Sequence, residues 1–130
     1  MSTGSVVIGR RSLSGSGPSH WKERRKQMIG VNVRFEYEDA NFDRERVVGV
    51  ADRARAMFEG MPGLCFKFFT FDAKRQEASN FYVWESRKAA DDFFTDEMRE
   101  RVTGLYGVSP QIDFVEIAQF VANPGSPSAA

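Results

Sequence analysis

The side chains able to move a proton or hold a charged ligand fall on three short segments of alternating character. Arg34 and Glu36 lie two residues apart on the first, Lys67 and Phe69 on the second, and Asn80, Tyr82 and Trp84 on the third. Residues two apart on a strand share a face, so each segment presents its set to one side. A guanidinium stabilises an anion, and a carboxylate withdrawn from water takes a proton. A phenol, an amide and an indole hydrogen-bond to a flat ring and stack on it. The same residues have a plainer reading, with Arg34 and Glu36 in cross-strand or intersubunit pairs and the aromatics as interface packing. Lys67 would then be a strand residue whose stem covers an interface while its ammonium reaches water.

Other chemistries lack their residues. The single histidine, His20, stands apart from any His/Asp/Glu set at ligand spacing, so no metal site is expected. Neither GxGxxG nor GxxxxGK[ST] occurs, which speaks against dinucleotide and ATP sites. Cys65 is the only cysteine; with no histidine partner it reads as a structural thiol, and one thiol suits a reducing compartment, with cytoplasm as the default. The chain has 18 Lys plus Arg against 18 Asp plus Glu, so no net field draws it to nucleic acid or anionic lipid, and self-association is unopposed. No apolar run approaches the roughly 18 residues of a membrane span.

The elements that must position the candidate residues are legible from periodicity. Residues 1–27 begin Ser/Gly-rich and end in the charged run from Trp21 to Gln27, which reads as a solvated, disordered leader or upstream extension, with translation naturally starting at Met28. Val31, Val33, Phe35 and Tyr37 alternate with polar residues as a strand to about Glu38. Asn41 or Asp43 offers a helix cap, and Val47, Val50, Ala51, Ala54, Met57 and Phe58 recur at helical spacing before Gly60. Pro62-Gly63 turns into a strand from Leu64 to Phe71, and a turn over Asp72 to Gln76 leads to a third from Glu77 to Trp84. Ser86 caps a second helix that Thr95 breaks and restarts, and a last strand runs from Gln111 to about Val121. Residues 124–130 form a tail. The order β-α-β-β-α-β predicts one ferredoxin-like α+β domain over Met28 to Asn123, an antiparallel sheet with its helices on one face.

Helices on one side cover one face, assigned to Val31, Val33, Phe35, Leu64, Phe66, Phe68, Phe81, Val83, Ile112 and Phe114. The other face would then carry Arg34, Glu36, Lys67, Phe69, Asn80, Tyr82 and Trp84 together, too apolar for open water. A second copy closing on it predicts a homodimeric α/β barrel around a cavity. Glu116 has helix-facing parity in this scheme, which calls for a bulge in the last strand or a shorter strand.

Pro62-Gly63-Leu64, Lys67, Thr70, Glu77-Ala78, Tyr82, Lys88 with Ala90, and Tyr106-Gly107-Val108 resemble the YdhR-like monooxygenases of the dimeric α/β barrel superfamily, over Met28 to Pro124. The chain departs from that pattern at Ser79-Asn80, where relatives often have two glycines, and at Phe69, where they have tryptophan. The resemblance implies a homodimer, a small apolar pocket between sheet and helices, and oxygenation of aromatic compounds. Some superfamily members degrade haem through an Asn, Trp and His set; Asn80 and Trp84 are present here, but the domain has no histidine for the iron. Others oxidise phenolic polyketides without a cofactor, the substrate anion itself reducing dioxygen. On that pattern Arg34 would stabilise a phenolate or enolate, Glu36 would take the proton, and Tyr82 would complete the catalytic set. Lys67, Phe69, Asn80 and Trp84 would bind the ring. The expectation is a cofactor-independent monooxygenase for small phenolic or polycyclic molecules, the alternative a non-catalytic dimeric module that binds or senses a small apolar ligand.

Overall fold

The structure, a computed structural model, describes residues 24–38 and 42–125. Most of the expected leader and the tail beyond Gly125 lie outside these residues; residues 24–27 form one helical turn leading into the buried Met28. Strand β1 is Ile29–Glu36, helix α1 Arg44–Phe58, strand β2 Leu64–Asp72, strand β3 Glu77–Trp84, helix α2 Arg87–Phe93, helix α3 Asp96–Tyr106 and strand β4 Gln111–Glu116. Each helix starts where a short polar side chain can satisfy a first-turn N–H. Asp43 accepts from the Arg46 amide, Ser86 from Ala89 and Thr95 from Met98, all at 3.1 Å. The Thr95 cap separates α2 from α3, as its sequence position predicts, and α3 stops at Gly107, whose φ of 87° suits a residue without Cβ.

The strands form one antiparallel sheet in the order β2-β3-β1-β4, the ferredoxin-like arrangement. Val31, Val33 and Phe35 on the central β1 are almost fully buried and pack with Val47 and Val50 of α1, Ala90 of α2 and Tyr106 of α3. The helices therefore cover the face that the sequence predicts for β1 and β4.

For β2 and β3 the expected parity is reversed. Val31 pairs with Tyr82 and Val33 with Asn80, while Tyr82 pairs in turn with Lys67 and Asn80 with Phe69. Directly paired residues share a face, so Lys67, Phe69, Asn80, Tyr82 and Trp84 point into the helices. Phe66, Phe68, Phe81 and Val83 point away with Arg34 and Glu36. The cause in β2 is an irregularity between Leu64 and Phe66, opposite Trp84 and Val83, that leaves Cys65 as an extra residue. Leu64 packs on the core as expected, but one inserted residue turns every later side chain to the other face. Of the two readings left open at Glu116, a bulge or a shorter strand, the shorter strand holds, and the bulge lies in the second strand. The last strand ends early, at Glu116 opposite Ile29.

Candidate active site between sheet and helices

Because Asn80, Tyr82 and Trp84 alternate on β3, the strand delivers an amide, a phenol and an indole to one side, where α1, α2 and α3 lie over them. Lys67 reaches the same space from the neighbouring strand. Its amine donates to the Tyr82 hydroxyl at 2.8 Å and sits 3.4 Å from the ring centre of Phe58, 4.1 Å from that of Tyr82 and 4.2 Å from that of Phe69. Burial pushes the Lys67 ammonium down to about 6. The three ring faces favour the charged form and offset part of that shift. Burial pushes the Tyr82 phenol well above its ordinary range, and the nearby Tyr106 adds to the effect.

Asn80 is buried, and its amide donates to the Tyr106 hydroxyl at 3.1 Å. Tyr106 is fixed from several sides. Its ring stacks on Phe35 with centroids 3.8 Å apart and planes 4° apart, and its carbonyl accepts from the Tyr37 hydroxyl at 2.8 Å. The Arg46 guanidinium reaches from α1 to the carbonyls of Gly104 and Leu105, closing the last turn of α3. Burial raises the Tyr106 phenol and, more than any charge near it, the Tyr37 phenol. An asparagine side chain has two N–H donors and a carbonyl, and the bond to Tyr106 uses one donor, so Asn80 is oriented with capacity to spare.

Trp84 is 1% exposed and its ring lies nearly parallel to Tyr82, centroids 5.9 Å apart, with Phe93 at 5.2 Å. Its indole N–H has no hydrogen-bond partner among the described residues. A buried donor left unmatched costs about 1–3 kcal/mol, which makes this atom an unusual feature of the core.

The seven predicted site residues thus divide. Lys67, Phe69, Asn80, Tyr82 and Trp84 come together between sheet and helices, and a single chain suffices to bury Tyr82 and Trp84. Arg34 and Glu36 lie on the opposite face, correcting the expectation of one shared surface. There they pair at 3.0 Å, Gln111 accepts from Arg34 at 2.6 Å and donates to Glu36 at 3.0 Å, and Asp113 stands 3.9 Å from the guanidinium. That closed network matches the plainer reading of the pair. Tyr106 and Phe58 complete the inner site, although the sequence marks Phe58 only as part of a helix stripe and Tyr106 only in the family resemblance, neither as a site residue. Each is the last residue of its helix, and its place in the folded layer brings it to the site. Cys65 is partly buried and burial raises its thiol, in keeping with a structural role.

Among the described residues no three His, Cys, Asp or Glu side chains gather as a metal-binding group, and no helix is long and apolar enough to cross a membrane. A shallow depression of about 420 Å³ lies against Arg99, Glu100, Thr103, Ser109 and Pro110, away from the lysine and tryptophan.

No family model matches the chain, and no curated protein matches it. Its fold is found in solved structures. A monooxygenase from the gene ActVA-Orf6 of Streptomyces coelicolor, in complex with the ligand nanaomycin D, superposes with a TM-score of 0.57 at 20% identity, over 77% of this chain and 95% of that one. A mutant of SnoaB, a cofactor-independent oxygenase from Streptomyces nogalater, gives 0.55 at 16% identity, over 75% and 99%. Rv0793 from Mycobacterium tuberculosis gives 0.55 at 16%, over 73% and 99%. The protein therefore shares the ferredoxin-like α+β fold of these solved structures.

Proposed function

We propose that the chain is a cofactor-independent monooxygenase for phenolic or polycyclic aromatic molecules, kin to the YdhR-like enzymes and working in the cytoplasm as a homodimer of the unit from Met28 to Asn123. The observation that carries this reading is the buried Trp84 N–H without a partner among the described residues, on the same face of β3 as an oriented Asn80 amide and the Tyr82 phenol. Two N–H donors and an O–H among aromatic rings suit a flat molecule with an oxygen anion at its edge, where such donors act most strongly in low dielectric. Phe93 and Phe94, packed on Tyr82 and Trp84, supply stacking surface. The neighbouring fold includes a cofactor-independent oxygenase and a monooxygenase in complex with nanaomycin D, which agrees with this substrate class.

The reaction balances without an external reductant. Conversion of an anthrone-type methylene to a carbonyl is a four-electron oxidation, and dioxygen takes those electrons to give the new carbonyl oxygen and one water. The protein's part is to exclude water, hold the ring, and stabilise the substrate anion that reduces dioxygen.

The partner chain fits the face opposite the site. There Phe66, Val83, Gly30 and Val115 form one row across the sheet and Phe68 with Phe81 begins the next, while Arg34 and Gln111 lie at the polar end. Gly30 lets this row close up, since a Cβ there would stand 2.9 Å from both Phe81 and Val115. Phe66 and Phe68 are 41% and 58% exposed in the single chain, an apolar patch of the kind that marks an interface.

Oxygen uptake with hydroxylated naphthalenes and anthrones, with ¹⁸O₂ incorporation read by mass spectrometry, tests the proposal. We expect one labelled oxygen per product and at least about a tenfold loss in Trp84→Phe, the worth of one hydrogen bond. Saturable binding without oxygen uptake would instead make the protein a binding module.

A further inference from the structure

We propose that Lys67 is the proton acceptor of this site, drawing the hydroxyl proton of a bound phenol through Tyr82. The inference rests on the aromatic-substrate reading above and supplies the base that reading lacks once Glu36 is on the far side of the sheet. The geometry is that of a two-step relay. The Lys67 amine lies 2.8 Å from the Tyr82 oxygen, and the Tyr82 ring lies nearly parallel to that of Trp84, whose N–H has no partner among the described residues. A substrate hydroxyl that donates to the Tyr82 oxygen completes the relay.

The step conserves atoms and charge. The substrate O–H breaks as a new O–H forms on Tyr82, and the original Tyr82 O–H breaks as an N–H forms on Lys67. The substrate leaves the step as phenolate, Tyr82 is unchanged, and the amine has become an ammonium. No electrons change hands until the phenolate meets dioxygen.

The surroundings of Lys67 suit both of its states. The groups packed against the amine are the rings of Phe58 from α1, Phe69 from β2 and Tyr82 from β3. Tyr82 is the titratable group within reach, with Tyr106 of α3 beyond it acting on Tyr82. Desolvation lowers the Lys67 ammonium, the ring faces oppose that in part, and no salt bridge to a carboxylate among the described residues holds it charged. At rest the amine donates to the Tyr82 hydroxyl; in the transfer that bond reverses, Tyr82 donating to the amine, and the ammonium so formed finds three ring faces to stabilise it. Because Lys67 is only partly buried, the proton has a way out to water.

The test uses 4-nitrophenol, whose anion is coloured and which ionises near neutrality. Bound to the wild-type protein, it should ionise at least about one pH unit lower than when bound to Lys67→Met, a tenfold change in its ionisation constant. In wild-type protein carrying ¹³Cε-labelled lysine, adding the probe at neutral pH should move the Lys67 resonance from the amine to the ammonium position, a readout that needs no variant. With a turned-over substrate, the rise of kcat/KM through about pH 6 should disappear in Lys67→Met. Equal ionisation in both proteins, a stationary Lys67 signal, or no saturable binding of the probe overturns the proposal. Ionised probe without oxygen uptake from any substrate would leave the relay standing and remove the oxygenase; ¹⁸O incorporation without proton transfer to Lys67 would do the reverse.

Discussion

Replacing Lys67 by methionine should make the protein less sensitive to acid, and the size of the effect follows from the burial of one amine. Methionine is unbranched, of similar length, and packs well on aromatic rings, so the cage of Phe58, Phe69 and Tyr82 stays filled. In the unfolded chain Lys67 binds its proton up to about 10.5, whereas in the folded chain it releases it above about 6. Between those limits unfolding takes up a proton, so wild-type stability falls as pH falls, by about 1.4 kcal/mol per pH unit. Above the window both states are neutral, and below it both are charged, so the slope vanishes at either end. From pH 9 to pH 7 the variant should therefore gain roughly 3 kcal/mol on the wild type. Cation–π attraction worth up to about 2 kcal/mol raises the lower end of the window and can trim that figure. The lost bond to the Tyr82 hydroxyl adds a constant penalty of about 1–3 kcal/mol, which cancels when two pH values are compared. Urea unfolding of both proteins at several pH values between 6 and 9 measures the difference. A gap constant within about 0.5 kcal/mol would show that the ammonium stays charged in the fold, and would refute the desolvated-amine reasoning.

Three further outcomes follow from the geometry. Trp84→Phe removes a donor that has no partner among the described residues, so the loss of ring volume is offset and stability should shift by only about 1 kcal/mol; affinity for 1-naphthol should fall roughly tenfold, read by fluorescence titration. Phe68→Asp places a charge on a residue 58% exposed in the single chain, so a dimer seen by analytical ultracentrifugation should become a folded monomer with an unchanged circular dichroism spectrum. Arg46→Ala frees the Gly104 and Leu105 carbonyls and should cost about 1–2 kcal/mol in urea unfolding, with weakened ligand binding because α3 carries Tyr106.

The element order, the caps at Asp43, Ser86 and Thr95, and the topology were legible because each has a local chemical signal. The membership of the inner site was legible only in part. Alternation decides which residues of a strand go together, and it grouped Asn80 with Tyr82 and Trp84 correctly. It does not decide which group faces the core when both are apolar, as in Phe81 and Val83 against Tyr82 and Trp84. In β2 the lysine itself misled, since an ammonium is expected to face water. The extra residue at Cys65 then reversed the strand, and the Pro62-Gly63 pair just before it marks a turn without marking the bulge that follows.

That reversal assigns different work to the two faces of the same strands. On β2, Lys67 faces the inner site between Phe66 and Phe68, which face the open side, and on β3 Tyr82 stands between Phe81 and Val83 in the same way. The strand that carries the amine thus also carries the exposed ring patch, so covering Phe66 and Phe68 would stiffen the backbone that sets the 2.8 Å contact between Lys67 and Tyr82. β2 lies at the edge of the sheet, with one strand neighbour and a bulge at its start, and an edge strand has the least to hold it in register. A chain kept monomeric by Phe68→Asp should therefore fold and still bind a phenol, but with the proton relay loosened. The ionisation of bound 4-nitrophenol should move toward its Lys67→Met value even though no residue of the inner site has been changed. If it stays at the wild-type value in a proven monomer, the two faces work independently and assembly contributes nothing to the chemistry.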